Sequence, residues 1–216
     1  MPRHYLHHRI QARSRAWRSL GEALTRQRPA LAAEDGALYG IWRSQIGRPR
    51  DELNVITHWP QARTGEQVLA GLLSATPDVA GIEYWAMTPT VRPTDDAPPT
   101  RQGNYAFRHF RTPPQHWDEF LELCAQAWPG FEAAYQDAQI IGLWRYDDDA
   151  DGLIDSVMLT RRPDLAAWER SKQPQGALES EVRRTLSRRY DQCDATYVHT
   201  TTLLTASDRA DDARWA

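Results

Sequence analysis

Gly40-Ile41-Trp42-Arg43 returns as Gly142-Leu143-Trp144-Arg145, 102 positions further on. The rest of the chain falls into step around this pair. Tyr5 recurs as Tyr105, Trp17 as Trp117, Leu20 as Phe120, Pro29 as Pro129 and Leu31 as Phe131, each 100 on, and Thr57 and Pro60 recur as Thr160 and Pro163, 103 on. An offset that grows in small steps is what insertions in loops produce. The period exceeds the roughly 20–50 residues of solenoid repeats, so the pattern is that of a duplicated small domain.

Each copy reads the same way. In the first, Tyr5 to Ile10 alternates as a strand. Ser14 is a candidate cap for a helix whose stripe is Trp17, Leu20 and Leu24, and Pro29 ends or kinks that helix. Leu38 to Ser44 and Leu53 to Trp59 form a hairpin. Thr64 to Leu73 is a helix with Thr64 as its cap, and Ile82 to Thr88 is a closing strand. In the second copy Tyr105 to Arg111 is the first strand. Pro113 and Pro114 precede a helix striped by Trp117, Phe120, Leu121, Cys124 and Trp128. Ile140 to Tyr146 and Ser156 to Arg161 form the hairpin. Leu165 to Arg170 starts a helix, Lys172 to Glu179 is an inserted loop, Glu181 to Tyr190 is helix again, and Thr196 to Thr205 is the last strand.

The order β-α-β-β-α-β is the ferredoxin-like plan. Such a unit covers only one face of its sheet with helices, and the bare face needs a partner. The expected fold is therefore α+β, with two tandem ferredoxin-like repeats packed sheet to sheet as an intramolecular dimeric α/β barrel. The expected organisation is a first repeat over 1–89, a proline-rich linker over 90–103, a second repeat over 104–206 and a charged tail over 207–216. The linker's prolines make it extended and poorly packed.

Composition narrows the function. With 41% hydrophobic residues and 9 Trp the chain has ample core material. No run of 18 apolar residues exists, so no membrane span is expected, and Met1 to Arg18 lacks the apolar stretch of a secretory signal. Cys124 and Cys193 are the only cysteines. Their number and spacing suggest neither a disulfide nor a metal framework, and they fit a reduced, cytoplasmic setting. A net charge of -3 gives no basic field to draw nucleic acid. The cations are nearly all Arg, with Lys172 the sole lysine. Such a bias suits phosphate or carboxylate recognition, but the arginines are scattered, as GC-rich codon usage would leave them.

Tyr39 to Gly47, followed by Val55-Ile56-Thr57-His58-Trp59, resembles the central hairpin of the NIPSNAP family. Asn104-Tyr105-Ala106-Phe107-Arg108, running through a proline into an amphipathic helix, resembles the opening of the same unit. The resemblance spans about residues 4 to 205. It departs from the family at Arg48-Pro49-Arg50-Asp51-Glu52, at the acidic turn of copy two, and at Arg162, which stands where copy one has Trp59. The resemblance implies the dimeric α/β-barrel fold class. It brings no catalytic residue set, and the wider superfamily includes cofactor-independent monooxygenases, haem proteins and small isomerases.

Asp147-x-Asp149-x-Asp151-Gly152, with Asp155 following, matches the first half of a calcium loop, but the twelfth position is Met158 rather than Glu. An acidic hairpin turn is the better reading, and no metal site is expected. There is no Gly-rich phosphate loop and no nucleophile elbow. Thr200, Thr201 and Thr202 beside His199 read as strand residues. His8, His58, His109 and His199 lie on strands with Arg43, Glu83, Trp85, Arg108 and Arg145. These nine are the candidate lining of a cavity that binds an anion or enolate. Trp42, Trp59, Trp85 and Trp144 supply its aromatic wall or pack the sheets together.

The expected function is NIPSNAP-like binding of a small apolar or anionic ligand or of a protein partner, without a cofactor, as a monomer or homodimer. The alternative is a cofactor-independent monooxygenase or isomerase acting on an aromatic or polyketide-like substrate.

Overall fold

The computed structural model describes residues 4–74, 76–148 and 150–208, with the side chains of 62–64, 74 and 150 left aside. The chain divides into two compact units. Unit 1 takes in residues up to 88 together with 96–102 and those from 200 onward, and unit 2 takes in 89–95 and 103–199.

Unit 1 runs β1 (His4–Ala12), α1 (Trp17–Arg26), α2 (Arg28–Ala33), β2 (Ala37–Ile46), β3 (Glu52–Trp59), α3 (Ala62–Ser74) and β4 (Val79–Pro89). The strands lie antiparallel in the order β4-β1-β3-β2. Alternate residues of a strand point to opposite faces. Leu6, Ile10 and Ala12 of β1 and Leu53, Val55 and Trp59 of β3 therefore share one face, packed against Trp17, Leu20, Leu24, Leu31, Leu69 and Leu73 of the helices. The other face carries Tyr5 and His7 of β1 with Asn54 and His58 of β3, all buried.

Unit 2 repeats the plan with β5 (Asn104–Thr112), α4 (Trp117–Ala134), β6 (Gln139–Tyr146), β7 (Ile154–Arg162), α5 (Leu165–Arg170), α6 (Ala177–Asp191) and β8 (Ala195–Leu203). Its order is β8-β5-β7-β6. The far end of β8, from residue 200, belongs to unit 1 and pairs there with β2, Trp42 standing opposite Leu203. The two ferredoxin-like units expected from the duplication are both present. Gly130 lets α6 come close to α4, since a Cβ there would lie 2.9 Å from Val182 Cγ2.

The repeated Gly-x-Trp has a packing cause. Residues i and i+2 of a strand share a face, and the ring of Trp42 lies over Gly40 as that of Trp144 lies over Gly142. A Cβ at either glycine would overlap the indole. Both rings are fully buried.

Several local expectations need correcting. Ser14 does not cap α1: the N-cap is Ala16, with no side-chain hydrogen bond, and Arg15 turns the chain with φ 63°. Pro29 opens α2, in its first turn, where a missing N–H costs nothing. Its counterpart Pro129 lies inside α4. The loop expected over Lys172 to Glu179 is shorter, because α6 begins at Ala177. Glu179 draws that start inward by accepting from Gln175 N and Arg170.

The proline-rich stretch is not poorly packed at its start. Thr90 N donates to Leu143 O (3.0 Å) and Leu143 N to Arg92 O (2.9 Å), while Arg92 grips Glu132 through both terminal nitrogens. The prolines interrupt pairing only at their own positions, and Thr90 and Arg92 keep their backbone groups for β6. In the acidic turn, Asp151 and Asp155 both pair with Arg111 (3.3 and 3.2 Å). Asp149, the side chain of Thr64 and the tail beyond 208 lie outside the described residues. Among the described residues no helix is long and apolar enough to cross a membrane.

Candidate functional site

Unit 2 encloses a cavity of about 260 Å³ between its sheet and its helices. The floor comes from β5 and β7. Arg108 stands opposite Met158, Ala106 opposite Thr160 and Asn104 opposite Arg162, so Ala106, Arg108, Met158, Thr160 and Arg162 all face the helices. The walls are Trp128 and Phe131 of α4, with Val182, Leu186, Arg189 and Tyr190 of α6. Tyr135, Ile140, Trp168, Ser171, Lys172 and Arg183 complete the lining.

The duplication shows why this copy is open. Ala106 stands where unit 1 has Leu6, Arg108 where it has His8, Met158 where it has Val55, and Arg162 where it has Trp59. In unit 1 the Trp59 indole fills the space, packed in one cluster with Leu6 and lying so close to Gly36 and Gly65 that a Cβ on either would overlap it. In unit 2 an alanine at the Leu6 position and a guanidinium at the Trp59 position replace that plug.

The electrostatics are lopsided. Arg108, Arg162, Arg183, Arg189 and Lys172 line the cavity, and among the described residues no Asp or Glu does. Glu179 is held outside the lining by Arg170 at 2.7 Å, and Glu169 by Lys172 at 3.0 Å. Arg162 is 9% exposed. Its Nη1 donates to Thr160 Oγ1 (3.2 Å) and its guanidinium lies 5.1 Å from the Phe131 ring, but its buried Nε has no partner among the described residues. Burial pushes the Arg162 pKa down to about 10, with Arg108 adding to the effect.

Arg189 is 1% exposed. It lies 4.9 Å from the Phe110 and Tyr190 rings, and its Nη1 reaches only Met158 Sδ (3.6 Å) and Cys124 Sγ (3.9 Å). Its Nε too is buried without a partner among the described residues. Arg108 lies 5.6 Å from the Tyr190 ring, and burial holds its pKa below the usual guanidinium value, with Arg189 and Arg183 adding to this. Burying charge without a counter-charge is costly. An anion in this cavity would supply what the protein itself withholds.

Solved structures were found that share this fold. An anthrone oxidase-like protein matches with TM-score 0.62 and 13% identity over 94% of this chain and 92% of its own. A candidate monooxygenase from Lactobacillus acidophilus NCFM matches with TM-score 0.63 and 8% identity over 98% and 100%. Chlorite dismutase from Candidatus Nitrospira defluvii, in complex with imidazole, matches with TM-score 0.56 and 10% identity over 93% and 90%. The chain shares their dimeric α/β-barrel fold. At these identities the likeness is one of fold alone. No family model and no curated protein matches the chain.

The cavity does not suit a haem held through histidine or cysteine thiolate. Among the described residues neither a histidine nor a cysteine lines it. Tyr135 gives its hydroxyl to Ser171 O (3.2 Å), and the Tyr190 ring faces two guanidiniums. Burial pushes the Cys124 thiol pKa up, which keeps it in the inert protonated form.

Of the nine residues expected to line a cavity, only Arg108 lines this one. His109 and His199 stack 5.6 Å apart on the opposite face of the unit 2 sheet, against Tyr197 and Phe107. Arg145 is half-buried at the register position of Ser156. In unit 1, Arg43 lies over the Trp17 ring (3.9 Å) on the helix side. His8 is stacked on Tyr84 (5.4 Å). His58 packs against Tyr5 and Tyr39, and Trp85 packs against His7 below Arg9, which also pairs with the exposed Glu83.

The aromatic wall is not made by Trp42, Trp59, Trp85 or Trp144. It comes from Trp128, Phe131, Tyr135, Trp168 and Tyr190. The missed cations are Arg162, Lys172, Arg183 and Arg189, and the sign of Arg162 was its exchange for Trp59 between copies.

Proposed function

We propose that the unit 2 cavity holds a small aromatic molecule as its anion (carboxylate, phenolate or enolate) and that the chain is an oxygenase acting on that anion without a bound cofactor. The observation that carries this reading is an aromatic-walled cavity lined by four arginines and a lysine and, among the described residues, by no carboxylate. The fold shared with an anthrone oxidase-like protein and candidate monooxygenases supports the reaction class, although fold by itself does not carry chemistry. The NIPSNAP-like stretches lie on the β2–β3 hairpin and on β5, and Gly40 and Trp42 of the hairpin serve packing.

Among the described residues no Asp, Glu or His lines the cavity to act as a general base. The guanidiniums instead favour the charged form of whatever acid they hold. This restricts substrates to phenols and enols already acidic enough to ionise on binding. An electron-rich carbanion can pass one electron to dioxygen and then form a carbon–oxygen bond. For a methylene carbon the reaction balances as one methylene group and one dioxygen giving one carbonyl group and one water. Both carbon–hydrogen bonds break, their hydrogens leave in the water, and dioxygen is the oxidant. The arginines fixed around the site stabilise the negative charge as it moves from carbon to oxygen.

The test is oxygen uptake by the full chain with naphthols and enolisable aryl ketones, with binding followed by calorimetry. The expected result is one dioxygen consumed per substrate converted. Binding without uptake would leave a ligand-binding protein, and absence of both would overturn the reading.

A further inference from the structure

We propose that the cavity takes a compact dianion: an aromatic molecule with two negative groups side by side on one edge, met together by Arg108, Arg162, Arg183 and Arg189. The proposal rests on the anion-binding reading of the cavity and adds the number and the placement of the charges.

The strand register and one face of α6 bring these cations together. Arg108 stands opposite Met158 across β5 and β7, and Arg189 Nη1 reaches Met158 Sδ at 3.6 Å. Both guanidiniums approach the same Tyr190 ring, Arg108 at 5.6 Å and Arg189 at 4.9 Å. Arg162 leans back along β7 onto Thr160 Oγ1 (3.2 Å). Thr160 pairs with Ala106, on the rung beside that of Arg108 and Met158 on the same sheet face. Arg183 and Tyr190 fall at i and i+7 of α6, the spacing of one helix face. The cations are close enough to act on one another. Burial lowers the Arg108 pKa, with Arg189 and Arg183 adding to it, and burial lowers that of Arg162, with Arg108 adding to it.

A single carboxylate cannot serve this group. A guanidinium has five N–H donors and a carboxylate about four lone-pair sites, so one carboxylate pairs two-pronged with at most about two guanidiniums. The protein offers little in its place. Arg162 uses one nitrogen on Thr160, Arg189 meets only sulfur, a weak acceptor, and the Nε of both is buried without a partner among the described residues. Lys172 differs, because Glu169 at 3.0 Å already balances it. A second negative charge set beside the first is attracted by the same four cations, and that attraction offsets the repulsion between the two charges. Within the oxygenase reading the second charge is the phenolate or enolate oxygen next to a carboxylate. The substrate class is then an aromatic ortho-hydroxy acid or β-keto acid, whose ionising oxygen lies against the guanidiniums that favour its charged form.

The experiment compares 2,3-naphthalenedicarboxylate, 2,6-naphthalenedicarboxylate and 2-naphthoate by calorimetry on the full chain at neutral pH. The two diacids carry the same charge on the same body and differ in whether the charges share an edge. The 2,3-diacid should bind at least about tenfold more tightly than either of the others, as one further set of hydrogen bonds to charged groups provides. Arg108→Met removes the cation that acts with each of the other three, and should cut that advantage to about threefold or less. An advantage that survives this substitution overturns the convergence. If the variant fails to fold, the three probes on the wild type decide by themselves. A 2,6-diacid that binds as tightly as the 2,3-diacid overturns the shared edge. A smaller preference for the 2,3-diacid over 2-naphthoate overturns the dianion and leaves the anion site standing. Failure of all three to bind overturns the anion site, and the dianion with it.

Discussion

Arg162→Met should stabilise the ligand-free protein while destroying its anion site. Burial lowers the Arg162 pKa from the ordinary guanidinium value to about 10, and at about 1.4 kcal/mol per unit the charged form carries a penalty of about 3 kcal/mol. Methionine removes that penalty. It also loses the bond to Thr160 Oγ1, worth about 1 kcal/mol, and the approach to Phe131, worth about 1 kcal/mol. Its own apolar burial returns about 1 kcal/mol. The net gain is about 2 kcal/mol, which for a chain of this size means a rise in Tm of about 4–8 °C. The assay is thermal unfolding with and without 2-naphthoate. In the wild type, ligand at one hundred times Kd should add about 2.7 kcal/mol, and in the variant it should add nothing. A variant that melts below the wild type in the absence of ligand would refute the reasoning, because Arg162 would then have a partner within the protein.

His8 should make the fold acid-sensitive: burial pushes its pKa down to about 3 and that of His7 to about 4, from 6.5. Both are neutral when folded, so their full stability holds above about pH 6.5 and falls as pH drops toward the folded values, by about 1.4 kcal/mol per unit per histidine. His8→Phe should recover about 2 kcal/mol of the loss between about pH 6.5 and about pH 4.5 in urea titrations, and an unchanged pH slope would count against a buried neutral His8. Gly142→Ala, which drives a Cβ into the Trp144 ring, should cost about 1–3 kcal/mol by chemical denaturation. Gly71→Ala, with open space around it on α3, should gain about 0.5–1 kcal/mol, and equal effects at the two sites would contradict the packing account of Gly-x-Trp.

The duplication made the fold legible. Matched aromatic, glycine and proline positions mark matched elements, and the β-α-β-β-α-β order follows from them. The site was far less legible. Alternation along β1 or β5 assigns His8 and Arg108 to one face and His7 and His109 to the other without saying which face meets the helices. Pocket residues were therefore sought among all strand histidines, when the cavity took Arg108 and left the imidazoles elsewhere. α6 hid its contribution because its arginines resemble a solvated helix surface. Yet Val182, Leu186 and Arg189 fall at i, i+4 and i+7, the spacing of one helix face, and Arg189 is buried on it. An arginine at an apolar stripe position was the readable sign of a charge turned inward. The remaining sign was the exchange of the Trp59 plug for Arg162.

The most direct measurement is a crystal structure of the full chain with 2-naphthoate bound. The account predicts the carboxylate at about 2.7–2.9 Å from guanidinium nitrogens of Arg162 or Arg108, with the ring over Ala106 and Thr160 against the Trp128 and Phe131 walls. A ligand seated elsewhere in the molecule, or an Asp or Glu side chain paired with Arg162 in an empty cavity, would contradict it.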